Sequence, residues 1–590
     1  MRRRIGVWAV LGIVILCSWA KPAYSQAGAS AAQLNGTVKD ASGGSVAKAS
    51  ISLREVTTNR SYSAVSNENG LYVIPNLPPG RYELTTEATG FAKSTQTGIV
   101  LSVGQVATID VSVSVAQTAE KVVVTTETPP VEPTRTEISQ VIDTKQIQDL
   151  PISGRLFTDF ALLTPGVSTG RTSLQSTITE FEVTRISFGG MRDLSNAVTV
   201  DGADTINTAT GSQRSTPSQE AVSEFRVVNN GFGAENGRAL GGIVNIVTKS
   251  GSNDLHGSAY DYLQNNYTDA RTLLQPAPDA YTLRQNQFGG TLGGPIKKDQ
   301  TFFFMNYEGQ RRGESPTYPT TLVGPVSLSN GTQSTELALI NQAKAALGLP
   351  AENINILTTK DTDNGLIKID HQLNKNNRLT ARYNIFDARE LNLLVGSTLD
   401  GGGIGAPSSG HNAFIRDQDL VGSLSSQITP ELVNTALVQY ARRHYSFPGV
   451  TGQPNLDIPN DLLFGHNFGV LDAIYESRVQ ATDSVAWVKG QHLAKFGVDT
   501  NFINNFVIWP GFTPMRIVLP GINCLVEFAN FVKPGANVPT SLNPGDTCPL
   551  PPVLDGTPIV FWGAPVGSGN VTPGFEPPSL CPAGGCTPAS

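Results

Sequence analysis

The sequence predicts a chain built mainly of β-structure: a small β-sandwich first, a mixed α/β unit next, and strands of a membrane β-barrel beyond. Charged residues make up only 15% while glycine and proline number 59 and 38, a balance that favours many short strands and turns over long solvated helices. Between Leu34 and Val115, apolar and polar residues alternate in short runs separated by turns. Beyond Gly251 the alternating runs lengthen to roughly ten residues, the pattern of a membrane β-barrel. With 590 residues the chain should hold several units, since one hydrophobic core rarely serves more than roughly 250 to 300 residues.

Taken in order, Met1 and three arginines precede an apolar run from Ile5 to Ala20, and Ala23-Tyr24-Ser25 provides a small-x-small site before Gln26. Residues 1–25 are therefore predicted to be a signal peptide removed on export. The run is shorter than the roughly 20 residues a spanning helix needs, and no later segment is apolar over 18 residues, so only a closed barrel of strands could span a membrane. Residues 30–116 form the predicted sandwich. Its alternating apolar residues are Ile51 and Leu53; Leu71, Val73 and the nearby Ile74; Tyr82 and Leu84; and Ile109, Val111, Val113 and Val115, with turns at Ser42-Gly43-Gly44, Asn67 to Gly70 and Pro78 to Gly80.

Residues 117–135 read as a proline-rich linker carrying an extended segment, Glu120, Lys121, Val122, Val123, Val124 and Thr125. Such a segment suits addition to another protein's sheet edge. Composition equally allows Val122 to Val124 to continue the sandwich's last strand.

Residues 136–252 make the mixed α/β unit. A turn at Leu150 to Arg155 leads into a short apolar helix around Leu156 to Leu163, stopped by Thr164-Pro165-Gly166. The unit closes on two β-branched runs, Ser223 to Val228 and Gly242 to Lys249, joined through Gly231, Gly233, Gly237 and Gly241. These glycines miss the dinucleotide-binding spacing and no βαβ unit surrounds them, so no nucleotide site is expected.

From residue 253 onward hairpins are legible. Met305 and Tyr307 alternate with Asn306 and Glu308, Ile367 and Ile369 with Lys368 and Asp370, and Leu379, Ala381, Tyr383 and Ile385 with Arg378, Thr380, Arg382 and Asn384. Apolar residues toward lipid and charged ones toward a lumen would explain this, although a soluble sandwich alternates in the same way. Short turns alternate with long connections such as Arg311 to Asn364. The last part is Pro/Gly-rich and holds Cys524, Cys548, Cys581 and Cys586, an even number in an exported chain, so disulfides are expected with all three pairings open.

A net charge of -7 without a basic run gives no footprint for nucleic acid. None of the six histidines has Glu three residues on or His four residues on, the spacings a zinc peptidase needs. No metal, nucleophile or cofactor constellation is present, so no enzyme and no cofactor are expected.

The pieces Asn69-Gly70-Leu71-Tyr72, Leu77-Pro78-Pro79-Gly80-Arg81-Tyr82 and Gly90-Phe91 resemble the carboxypeptidase regulatory-like domain. Leu150-Pro151-x-x-Gly154-Arg155, Phe188-Gly189-Gly190, Val200-Asp201-Gly202-Ala203-Asp204, Ala234-Glu235-Asn236-Gly237-Arg238 and Gly241 through Gly251 resemble the plug domain of TonB-dependent outer-membrane receptors. His256 to Tyr260, Asn286 to Pro295 and Phe302 to Phe304 are similar to the barrel opening of their Oar-like branch. The resemblance implies a plug at 136–252 inside an outer-membrane barrel, an extracellular ligand, outer-membrane lipid around the barrel, and TonB as the energising partner. By position Glu120 to Thr125 is similar to the box that TonB grips. Apical plug loops at 170–180 and 205–217 would face the ligand, though their composition is also that of solvated loops.

Transporters of this kind have about 22 strands, and only about nine are legible between His256 and Phe506. The sequence is therefore expected to be an N-terminal part, 253–590 being a partial barrel that ends in a loop with an open edge. The rival reading is an outer-membrane adhesin or scaffold without energised transport.

Overall fold

The computed structural model describes residues 31–115, 137–169 and 186–508, apart from short internal segments, together with strands 122–125, 515–518 and 560–562. Residues 1–25, Glu120, Lys121, the loop 170–180 and Cys524, Cys548, Cys581 and Cys586 lie outside the described residues.

The first unit holds strands β1 (Ala32–Asp40), β2 (Ser50–Glu55), β3 (Ser61–Val65), β4 (Leu71–Leu77), β5 (Gly80–Glu87), β6 (Ser94–Leu101), β7 (Val106–Thr108) and β8 (Val111–Val113). Strand β1 pairs with β4, β7 and β8 in one sheet, while the other runs β3-β2-β5-β6 and gains β9 (Val122–Thr125) at its edge. Alternation seen in the sequence sets the core between the two sheets: Leu34, Val38, Ile51, Leu53, Tyr82, Leu84, Ile99 and Ile109 are all buried in one cluster. Gly36 sits on β1's inward face because a Cβ there would lie 1.8 Å from the Ile109 carbonyl oxygen.

The second unit is a five-stranded mixed sheet ordered β10-β15-β16-β13-β14, from β10 (Ile138–Ile142), β13 (Ala197–Val200), β14 (Ala203–Asp204), β15 (Val222–Asn230) and β16 (Ile243–Thr248). A small ladder of β11 (Val167–Thr169) with β12 (Ile186–Phe188) lies beside it. The two closing runs predicted from β-branched residues are the antiparallel pair β15 and β16. Helix Thr144–Asp149 starts at a capping box between Asp143 and Gln146. The apolar segment Phe157–Leu163 is a 3-10 helix, placing Phe157, Phe160 and Ala161 on the sheet. It stops where expected, at Gly166 with φ of 78°.

The third unit is one antiparallel sheet of nine strands. These are β17 (His256–Asn265), β18 (Leu283–Lys297), β19 (Thr301–Glu314), β22 (Thr358–Asn374), β23 (Asn377–Leu393), β25 (His411–Thr429), β26 (Leu432–Ser446), β29 (Ala473–Lys489) and β30 (His492–Ile508). The connection read as running from Arg311 to Asn364 is shorter, because strands continue to Glu314 and resume at Thr358. It carries a hairpin of β20 (Val326–Ser327) and β21 (Gln333–Ser334) and the helix Glu336–Ala346. Other long connections form a second small sheet of β24 (Ile404–Gly405), β27 (Asn455–Ile458), β28 (Leu462–Phe464), β31 (Met515–Val518) and β32 (Val560–Trp562). Among the described residues the nine-stranded sheet is open, with β17 and β30 as its edges.

Burial decides between membrane barrel and soluble sandwich. Ile367 is 50% exposed and its neighbour Lys368 only 5%; Leu379 is 41% exposed and Arg382 only 2%. Met305, Tyr307, Leu420, Val438, Tyr440 and Phe502 are exposed on the same outer face, whereas Asn306, Asn384 and Gln439 are buried inside. A soluble protein would reverse this arrangement; apolar residues outward around a polar interior are what a lipid environment demands.

Candidate functional site

The second unit lies against the inner face of the barrel sheet, and the motifs singled out in the sequence meet there. Val200-Asp201-Gly202-Ala203 is a two-residue hairpin whose central residues have φ of 49° and 85°, the mirror-image turn for which Asp-Gly is suited. The turn aims Asp201 at both its own unit and the wall. Its carboxylate accepts the Thr248 N–H at 3.0 Å and hydroxyl at 2.7 Å, and it faces Lys368 Nζ at 3.5 Å and Arg382 Nη1 at 3.4 Å. Burial disfavours the charged form, but Lys368, Arg382 and the Thr248 hydrogen bonds outweigh it and hold the carboxyl below the ordinary carboxylate range.

Asp204, at the hairpin's end, pairs with Arg238 of the Glu-Asn-Gly-Arg motif and with Arg478 Nη1 of β29 at 2.9 Å. Its backbone N–H donates to Gln480 at 2.9 Å, and its carbonyl accepts Gln439 Nε2 at 3.1 Å. Phe188 and Gly242, from separate motifs, are also partners, since a Cβ on Gly242 would lie 2.2 Å from the Phe188 ring. Arg155 bonds Glu220 at 3.0 Å and stacks over Tyr262 of β17 at 4.2 Å, tying the turn to the first barrel strand.

In the loop 205–217 several described residues turn to the wall instead of to solvent. Among its described residues Asn207, Gln213 and Arg214 are buried and Thr208 is exposed. Arg214 Nε donates to Asp417 at 3.1 Å and its guanidinium lies 3.8 Å from Glu476; the Thr208 N–H donates to Glu476 at 2.8 Å. Its polar composition matched a solvated loop because the wall it faces is itself polar. Apolar contact between the units is small by comparison: Ala203 packs with Val421 and Leu437, and Ala221 with Phe304 and Leu366. Beside the hairpin, toward β30, a cleft of about 330 Å³ is lined by Asp204, Arg238, Gln480 and Asp499. No group of three His, Cys, Asp or Glu able to hold a metal occurs among the described residues.

The sandwich docks on the rim formed by the short turns. Asn59 donates to Asp299 at 2.8 Å, Asn67 to the Gly490 carbonyl at 2.9 Å, and Gln427 to the Ser63 carbonyl at 2.7 Å. It also reaches the second unit, where the Val103 N–H donates to the Glu224 carboxylate and Arg226 donates to the Gly104 carbonyl. Burial pushes the Glu224 carboxyl up to about 7; the Val103 N–H opposes the shift and Asp143 adds to it. Undocking exposes this carboxyl and lets it fall back toward the ordinary carboxylate range, so the contact should be strongest in mild acid and weaken as pH rises through about 7. Hydrogen exchange at Ser102 to Gln105, corrected for intrinsic rates, is expected to be better protected at pH 5.5 than at 8.5. Glu224→Gln should abolish that difference; its persistence would assign it to another group.

Of the predicted grip segment, the backbone of Val122–Thr125 is placed, and it is not a continuation of the sandwich's last strand. It pairs in parallel with β6, matching Ser94 to Val122, Thr95 to Val123, Gln96 to Val124 and Thr97 to Thr125.

Residues 33–114 match the carboxypeptidase regulatory-like domain, and residues 247–356 and 335–513 match the outer membrane beta barrel domain. The TonB-dependent transporter Oar of Myxococcus xanthus is 28% identical over 260 residues, which is 42% of this chain and 23% of that protein's length. The siderophore receptor PirA from Acinetobacter baumannii superposes with a TM-score of 0.42 at 15% identity, covering 62% of this chain and 48% of that one. The outer membrane transporter YddB from Escherichia coli gives 0.44 at 11% identity, covering 65% and 50%.

Proposed function

We propose that this chain, which belongs to the TonB-dependent outer-membrane receptors of the Oar-like branch, serves to take up a ligand captured at the cell surface with force delivered by TonB. In this reading residues 136–252 are the plug, the short-turn rim and the sandwich face the periplasm, residues 1–25 are a cleaved signal peptide, and TonB grips Glu120 to Thr125. A barrel in the outer membrane has no nucleotide energy source beside it, so force has to arrive from a periplasmic partner, and backbone pairing carries it with little demand on side chains.

The observation that carries this reading is the character of the seam between the second unit and the wall. It is held by Asp201, Asp204 and Arg214 in ion pairs with Lys368, Arg382, Arg478, Asp417 and Glu476. Buried ion pairs return in attraction roughly what they lose in desolvation, so they fix position and register without the depth of an apolar core. A static adhesin gains nothing from such a seam; a unit that must shift to open a path does.

The test is binding of the TonB periplasmic domain to a peptide of Ala119 to Thr126. Binding is expected, and Val123→Pro should abolish it by removing a backbone donor and bending the strand. Absence of binding, or indifference to proline, would return residues 120–125 to the role of a tether and favour the adhesin.

A further inference from the structure

We infer that the outer edge of β6 is a docking site for an extended segment, filled in the resting molecule by this chain's own Val122–Thr125, so that a partner must displace this contact before it can hold the segment. The sheet β3-β2-β5-β6 would otherwise end on β6 with unpaired backbone groups at Ser94 to Thr97, an edge open to any extended chain. Strand β9 covers that edge over four residue pairs in parallel register.

Three features suit a contact made to be exchanged. The valines favour extended backbone without asking for particular neighbours. Among the described residues β9 pairs over four residues, fewer than in the usual strand of roughly five or six, so little described pairing has to be undone. The tether is short: Val115 bridges to Phe91, close in sequence to Ser94, where β9 begins its pairing. A segment held so near its edge re-docks readily, because its effective concentration there is high. The grip segment is thus stored in the same form, an added edge strand, in which a partner would take it. That second half rests on the reading of residues 120–125 as the part TonB holds; the docking itself does not.

Disulfide trapping in the full chain in detergent micelles separates the two. Thr95→Cys with Val123→Cys joins residues that face each other in the register, whereas Ser94→Cys with Thr125→Cys does not. Under mild oxidation the first pair is expected to cross-link many times faster than the second, as mapped by mass spectrometry. The oxidised first pair should not bind the TonB periplasmic domain and should bind again once reduced, with Val123→Cys alone binding in both states. The free Ala119–Thr126 peptide should bind roughly tenfold tighter than the reduced chain, as for a segment docked ~90% of the time. Equal cross-linking of both pairs would overturn the docking. Equal affinity of peptide and intact chain would overturn the competition. Failure of the peptide itself to bind would instead strike the assignment of the grip, with cross-linking still deciding the docking.

Discussion

Asp201→Asn is expected to loosen the second unit from the barrel wall by about 3–5 kcal/mol, the usual result of removing one partner from a buried charge cluster. Asparagine tolerates the left-handed conformation that residue 201 adopts, at φ of 49°, and keeps an acceptor for Thr248. The hairpin should therefore survive, and the loss should report on the charge together with the one Thr248 hydrogen bond that an amide cannot accept. Lys368 would retain the Thr248 carbonyl and hydroxyl and the attraction of Asp370, and Arg382 its pair with Asp419. Asp201→Ala should cost roughly 1–2 kcal/mol more, from the strained turn. Hydrogen exchange along β13, β14 and β16 under rising urea measures the effect, and protection in Asp201→Asn equal to that of the parent would show that the charges do not hold the seam. In the parent the Asp201 carboxyl sits below its usual 3.8, so its contribution is complete above that pH and lost only as pH falls further. The Glu224 contact has the opposite dependence. Mild acid should therefore tighten the sandwich junction while leaving the seam intact.

The barrel wall was legible because a strand that separates lipid from lumen must alternate at every step. Ile367 to Leu373 and Arg378 to Ile385 announce their faces residue by residue, and the turns between the strands fall at Asn374 to Asn377, Thr429 to Glu431 and Lys489 to His492. What alternation cannot carry is partnership. Asp204 and Arg238 stand 34 residues apart and look like two solvated charges until the fold joins them. The placement of β9 was hidden for the same reason: a run of valines states that it is extended, not which edge it covers. The sequence left the loop 205–217 between a ligand-facing and a solvated reading, because composition does not distinguish ligand or water from a wall of Asp417, Glu476 and Arg478. The segment Phe157–Leu163 had the right residues for a helix but too few of them to settle into an α-helix before Pro165 and Gly166.

The same blindness to partnership hid the second large effect, in the long connections. Lys344, on the helix Glu336–Ala346, bonds Glu352 at 2.6 Å, and both side chains are 1% exposed. The Glu352 carboxylate also accepts the N–H and hydroxyl of Ser408, whose oxygen in turn accepts the Gly465 N–H at 2.7 Å. One carboxylate thereby ties together three connections, those following β19, β23 and β26. Lys344→Met is expected to weaken this clamp by about 3–5 kcal/mol, because Glu352 would remain buried with its countercharge gone. Lys344→Met combined with Glu352→Gln should recover much of the loss, since a neutral amide can still accept from Ser408 and carries no charge to strand. Hydrogen exchange of the helix and of Pro407 to Gly410 reads both variants. If the single variant is no looser than the double, the clamp is held by packing and hydrogen bonds rather than charge; if it is looser, the three connections move as one body whose opening is set at Glu352.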